Sequence, residues 1–74
     1  MAQLEIESEV QGNVWKVLVS EGDRVTSGQV LMIIESMKME IPVEAPADGQ
    51  VVAMKVAEEQ PVEEDQLLAV LDSA

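Results

Sequence analysis

The 74-residue sequence contains no cysteine, histidine, phenylalanine or tyrosine. Without cysteine no disulfide framework supports the fold, and nothing points to an oxidising compartment. Without histidine and cysteine the commonest general base, thiol nucleophiles and zinc-type ligand sets are missing, which argues against an autonomous enzyme. No glycine-rich phosphate loop is present. No apolar stretch approaches the roughly 20 residues of a membrane helix, and no signal-peptide pattern opens the chain. The expectation is a soluble, cytoplasmic domain, monomeric in isolation.

Basic residues are also scarce. Four Lys and Arg face fifteen Asp and Glu, for a formal net charge of −11. Binding to nucleic acid or an anionic membrane needs basic side chains to displace counterions, so neither is expected. The excess of carboxylates suits electropositive protein partners, or serves solubility alone. Glu58-Glu59 and Glu63-Glu64-Asp65 invite a cation-binding reading. No spaced Asp/Asn loop with a glycine accompanies them, so they read as solvated surface.

Hydrophobic residues make up 47% of the chain, enough for a globular fold, and residues 1–74 form one domain. A chain this short buries only roughly 60% of its unfolded surface. Trp15 is the sole aromatic, so the core must be built from Val, Leu, Ile, Met and Ala. Trp15 itself is expected to cap the edge of that core, with partner contact as the alternative.

Leu4, Ile6 and Val10 alternate with Glu5, Glu7, Glu9 and Gln11, the pattern of a half-buried strand closed by Gly12-Asn13. Val14 to Val19 follow, then turns at Glu21-Gly22-Asp23 and Ser27-Gly28. The pattern then starts over. A shift of 37 residues, half the chain, places Gly12 on Gly49, Val14 on Val51, Val19 on Val56 and Glu21 on Glu58. It also places Val25 on Val62, Gln29 on Gln66, Leu31 on Leu68, Ile6 on Val43 and Glu7 on Glu44. Two similar halves, about 1–37 and 38–74, imply a quasi-two-fold all-β structure. Neither half could bury its apolar face alone, so the halves must pack on each other.

At the centre stands Glu35-Ser36-Met37-Lys38-Met39-Glu40. An apolar run, Val30 to Ile34, leads in, and an alternating run from Met39 to Ala45 leads out. Two β patterns back to back predict a hairpin with Lys38 at its tip. Val30, Ile33, Ile34, Met37 and Ile41 also fit a helical template. The β-branched content, Pro42 and the short matching segment Leu67–Asp72 favour strands. A two-residue turn at Met37-Lys38 opposes Ser36 to Met39, Glu35 to Glu40, Ile34 to Ile41 and Met32 to Val43. One face then becomes apolar: Val30, Met32, Ile34, Met39, Ile41, Val43 and Ala45. In the other half the corresponding strands, Leu67–Asp72 and Leu4–Val10, have no turn between them. The termini are therefore expected side by side at the pole opposite Lys38.

Facing glutamates and a turn lacking Asn or Gly break local rules at this one place. Such failures mark functional positions. A lysine on a rigid protruding turn is open to an incoming enzyme while its backbone stays placed.

Ser-Met-Lys-Met resembles the Ala/Val-Met-Lys-Met signature of biotinyl domains, the carrier modules of biotin-dependent carboxylases. The resemblance runs from Leu4 to Leu71 and includes Gly12, Gly22-Asp23, Gly28-Gln29, Glu35, Met37-Lys38-Met39, Ala45-Pro46 and Asp48-Gly49. It implies a flattened barrel or sandwich of two four-stranded antiparallel sheets. It implies biotin attached to Lys38 by a biotin protein ligase, with Met37, Met39, Glu35 and Glu40 recognised around it. The implied partners are a biotin carboxylase and a carboxyltransferase, between which the carrier shuttles a carboxyl group without catalysing either step. Ser36 departs from the usual Ala or Val, and Ser8-Glu9-Val10-Gln11 departs from an Ala-Pro-Met-Pro-like segment. No thumb loop interrupts residues 15–37, and no long Pro/Ala-rich linker is present. The chain is most similar to small stand-alone biotin/lipoyl attachment proteins. Lipoyl domains share the fold, and their recognition resembles a glutamate three residues before the lysine and a glycine sixteen before it, here Glu35 and Gly22. A lipoate carrier loaded by a lipoyl-attaching enzyme, a dual carrier, and an unmodified β interaction module therefore remain as alternatives.

Overall fold

A computed structural model describes residues 2–73, and every regular element in it is a strand. The strands are β1 (Gln3–Glu7), β2 (Gly12–Val17), β3 (Arg24–Val25), β4 (Val30–Ser36), β5 (Met39–Glu44), β6 (Gly49–Met54), β7 (Pro61–Val62) and β8 (Leu67–Ser73). They form two four-stranded antiparallel sheets, ordered β1-β8-β6-β3 and β5-β4-β2-β7. The expected all-β architecture of two such sheets is what the chain adopts, and the helical alternative for residues 30–41 falls.

The sequence repeat maps onto this topology strand for strand. Shifting β1, β2, β3 and β4 by half the chain lands on β5, β6, β7 and β8, and converts one sheet order into the other. Each sheet takes two strands from each half, so the halves interleave rather than pack as two units. A half-chain would leave most of its backbone N–H and C=O groups without ladder partners, which costs too much to tolerate in a buried setting. The core follows the same symmetry. One buried cluster holds Val19, Val25, Leu31, Val51, Ala69 and Leu71; the other holds their counterparts Val56, Val62, Leu68, Val14, Met32 and Ile34.

Four bulges adjust the strict alternation expected from the sequence. In β4, Val30 pairs with Glu44 and Met32 with Val43, which leaves Leu31 as the extra residue. In β8, Leu68 is left over in the same way between Leu67 and Ala69. Each bulge lets two successive side chains turn inward, and Leu31, Met32, Leu68 and Ala69 are all fully buried. The apolar face expected for the hairpin is thereby corrected: Leu31 replaces Val30 in the deep core, and Met39 lies beyond the end of the core, 64% exposed. The second pair of bulges falls at Trp15 and Val52. Trp15 is 42% exposed, with the Lys16 ammonium 5.6 Å from its ring centroid, so it does not cap the core. The bulge turns the indole to the outer face of the sheet.

The first strand also ends earlier than the alternation implied. β1 stops at Glu7, Ser8–Gln11 form a connection, and Gly12 opens β2 instead of closing β1. Ser8 is buried at the position matching Ala45, its hydroxyl donating to the Val10 carbonyl at 2.6 Å. Gly12 and Gly49 answer a packing demand, because a Cβ at either would collide with the carbonyl oxygen of Glu35 or Asp72. Only glycine lets these backbones approach so closely.

The molecule measures 35 × 17 × 16 Å. β1 and β8 pair from Gln3–Asp72 to Glu7–Leu67, and the Ser73 N–H donates to the Ala2 carbonyl at 2.8 Å. The two ends of the described chain thus lie side by side. Glu7 and Leu67 sit at the end of β1 and β8 nearest the Gly12 and Lys38 region, so both strands carry the termini to the opposite pole, as expected.

Candidate functional site

β4 and β5 pair in the register that the hydrophobic pattern predicts: Ile34–Ile41, Glu35–Glu40 and Ser36–Met39. Met37 and Lys38 close the turn with φ of 51° and 67°. Left-handed conformation at both central positions defines a type I′ turn, the geometry whose twist matches that of the strands. Neither residue is the Asn or Gly that such a turn prefers, so each carries a conformational cost of roughly 1–2 kcal/mol. The facing Glu35 and Glu40 are both exposed and add like-charge repulsion. What offsets this is the long β4–β5 ladder below, anchored by fully buried Leu31, Met32 and Ile34.

The result is an exposed amine on a fixed base. Lys38 is exposed, and Met37 beside it is 92% exposed. The Ser36 hydroxyl donates to the Gln11 carbonyl at 2.7 Å, tying the stalk of the hairpin to the β1–β2 connection. Between them opens a shallow cleft lined by residues 9–13, residues 35–38, Glu63 and Glu64. Glu9, Glu35, Glu63 and Glu64 thus share the lining of this cleft with Lys38. Sequence reading identified the lysine but not this cleft. The connecting serine was noticed only as a departure from a pattern, although its hydroxyl was the available signal.

Met37, Met39, Glu35 and Glu40 are brought together around Lys38. Gly22 is not. It lies on the β2–β3 connection with φ 95°, its N–H donating to the carbonyl of Val51, which pairs with Leu71 in the sheet of the termini. The residue at the equivalent place on the Lys38 side is Glu59, whose N–H donates to the carbonyl of Val14, the partner of Ile34. The acidic groups read as solvated surface are exposed, and Glu58 also accepts the Val17 N–H at 3.0 Å, as Glu21 accepts that of Met54 at 2.8 Å. Among the described residues these carboxylates gather into no group that could hold a metal ion.

The family model Biotin_lipoyl, described as "Biotin-requiring enzyme", matches residues 2–71, and the chain belongs to this family. It is 42% identical over 66 residues to the Biotin/lipoyl attachment protein of Bacillus subtilis, covering 89% of this chain and 90% of that one. It is 40% identical over 67 residues to the "Biotinylated protein TB7.3 homolog" of Mycobacterium leprae, covering 90% and 94%. Among solved structures, a single-chain, multi-domain long-chain acyl-CoA carboxylase superimposes with a TM-score of 0.92 at 26% identity, over 97% of this chain and 7% of that one.

Proposed function

We propose that Lys38 is the attachment point for biotin and that the domain serves as a carboxyl carrier between a biotin carboxylase and a carboxyltransferase. The observation that carries this reading is the strained turn: two left-handed non-glycine residues hold one exposed amine at one end of an otherwise symmetric barrel. A ligase presents the cofactor's carboxyl group as an acyl-adenylate. The Lys38 nitrogen attacks its carbonyl carbon, a C–N bond forms, the nucleotide phosphate leaves and the amine loses a proton. Biotin, once bound, supplies the ring nitrogen that takes up and gives back the carboxyl group.

The chain's own contribution is placement. The β4–β5 ladder and the Ser36–Gln11 bond fix where the arm starts, and tethering replaces free diffusion by a high effective concentration at successive active sites. Glu9, Glu35, Glu63 and Glu64 give the same pole a negative field that draws in electropositive enzyme surfaces.

The test is intact mass after co-expression with a biotin protein ligase. A biotin-sized increase that disappears in Lys38→Arg supports the carrier. A lipoyl-sized increase with a lipoate-attaching enzyme, and none with biotin ligase, replaces biotin by lipoate. No increase with either leaves an unmodified interaction module.

A further inference from the structure

The carrier reading uses the amine of the hairpin but not the sulfur on either side of it. In a chain without cysteine, methionine thioethers are the only oxidisable sulfur. Their exposures differ sharply: Met32 is fully buried and Met54 half-buried, whereas Met37 and Met39 stand 92% and 64% exposed beside Lys38. Met37 occupies the first central position of the turn, with its side chain outside every packed contact of the core.

We infer that Met37 and Met39 form an oxidation site that controls loading of Lys38, an inference that rests on the carrier reading. Hydrogen peroxide, or another two-electron oxygen donor, meets these two sulfurs before any other described one. A sulfur lone pair attacks the near peroxide oxygen, the O–O bond breaks, an S–O bond forms, and the departing hydroxide takes up the proton to leave as water. Sulfur is oxidised by two electrons and the peroxide reduced by two. The product is a polar, chiral sulfoxide in place of a flexible apolar arm.

Because neither side chain supports the core, the barrel survives this change intact. What changes is the surface offered to an attaching enzyme. An apolar pair that can be desolvated against a partner becomes a pair of strong acceptors whose burial without a donor is unfavourable. The expected loss is about tenfold in the rate of labelling, the size of one uncompensated polar group at an interface. Sulfoxide reductases specific for the two epimers reverse it.

The experiment treats unmodified protein with hydrogen peroxide, removes the oxidant with catalase, and locates oxygen by peptide mass. The labelling rate with biotin protein ligase, biotin and ATP is then compared between treated and untreated samples of the same variant. The inference expects sulfoxide first at Met37 and Met39, unchanged far-ultraviolet circular dichroism, slower labelling, and recovery after reductase treatment. In Met37→Leu/Met39→Leu the treated-to-untreated ratio should stay near one, whatever that variant's own rate. Full oxidation at Met37 with no loss of rate overturns the inference, as does preferential oxidation at Met54. Untreated protein that no ligase labels overturns the carrier reading itself, and the inference falls with it.

Discussion

At one end of the barrel β4 runs into β5 through Met37 and Lys38; at the other, the equivalent strands β8 and β1 lie side by side and carry the two ends of the described chain. The same ladder therefore exists with and without a connecting turn. Strand pairing and the buried leucines hold it together, and the turn residues are released from that duty. This is why two residues poorly suited to left-handed backbone can occupy the tip: the ladder below tolerates the strain, and the amine gains a fixed position.

The loops beside each pole differ in charge more than in shape. Thr26-Ser27-Gly28 lie between β3 and β4; the matching Glu63-Glu64-Asp65 lie between β7 and β8, with Glu63 and Glu64 bordering the Lys38 cleft. Both loops use the same hydrogen bond, from the N–H of Thr26 to Gln29 Oε1 at 3.1 Å and from that of Glu63 to Gln66 Oε1 at 2.9 Å. Both turn through a left-handed residue, glycine at 28 but aspartate at 65, with φ of 87° and 68°. Gly22 and Glu59 repeat the contrast at 95° and 70°. One architecture thus supports an uncharged loop near one pole and an acidic loop near the other, and the acidic loop borders the cleft that Lys38 lines.

Substituting the close-approach glycines should break the symmetry most severely. Gly12→Ala and Gly49→Ala each force a Cβ against a backbone carbonyl and are expected to cost about 3 kcal/mol. Chemical denaturation should show similar losses for both. Only Gly12→Ala, which displaces the backbone of Glu35, should also slow labelling of the folded fraction.

Relieving the turn tests whether its strain belongs to the site. Met37→Asn with Lys38→Gly is expected to raise stability by about 1–2 kcal/mol while abolishing modification. Unchanged or lower stability in thermal melts would show that the Met-Lys turn carries no strain.

Exchanging loop chemistry tests the field. Glu63→Thr, Glu64→Ser and Asp65→Gly together should leave the fold intact and lower the ligase association rate about fivefold at low ionic strength. Stopped-flow measurements should find the difference fading as salt is raised. The corresponding acidic changes at Thr26 and Ser27, remote from the lysine, should leave the rate unaltered.

The smallest effect is expected where only backbone preference differs. Glu59→Gly should gain about 0.5 kcal/mol, and Gly22→Glu should lose about 1 kcal/mol, since nothing crowds a side chain at Gly22 and only its left-handed conformation resists one. Paired denaturant titrations at this precision would show whether the acidic half carries more local strain than its glycine-bearing twin.

The repeat, the β periodicity and the hairpin register were legible because each is a statement about one-dimensional order. The pairing of Ile34 with Ile41 and of Glu35 with Glu40 follows from alternation alone. Trp15 and Met39 were misjudged for the same reason. Alternation predicts which way a side chain points but not where a bulge resets it or where the core ends. Gly22 and Glu35 sit at a family-like spacing, yet the interleaving of halves carries them to different regions.

By itself, the amino-acid order determined that two like halves make a quasi-two-fold all-β structure and that one lysine stands at their junction. Local pattern and the count of available side chains decide those matters. Tertiary structure alone decided that each sheet takes strands from both halves, that Leu31 and Leu68 turn inward at bulges, and that glutamates distant in sequence line one cleft with Lys38. These depend on which backbones satisfy one another's hydrogen bonds across the fold, a relation that no stretch of sequence contains.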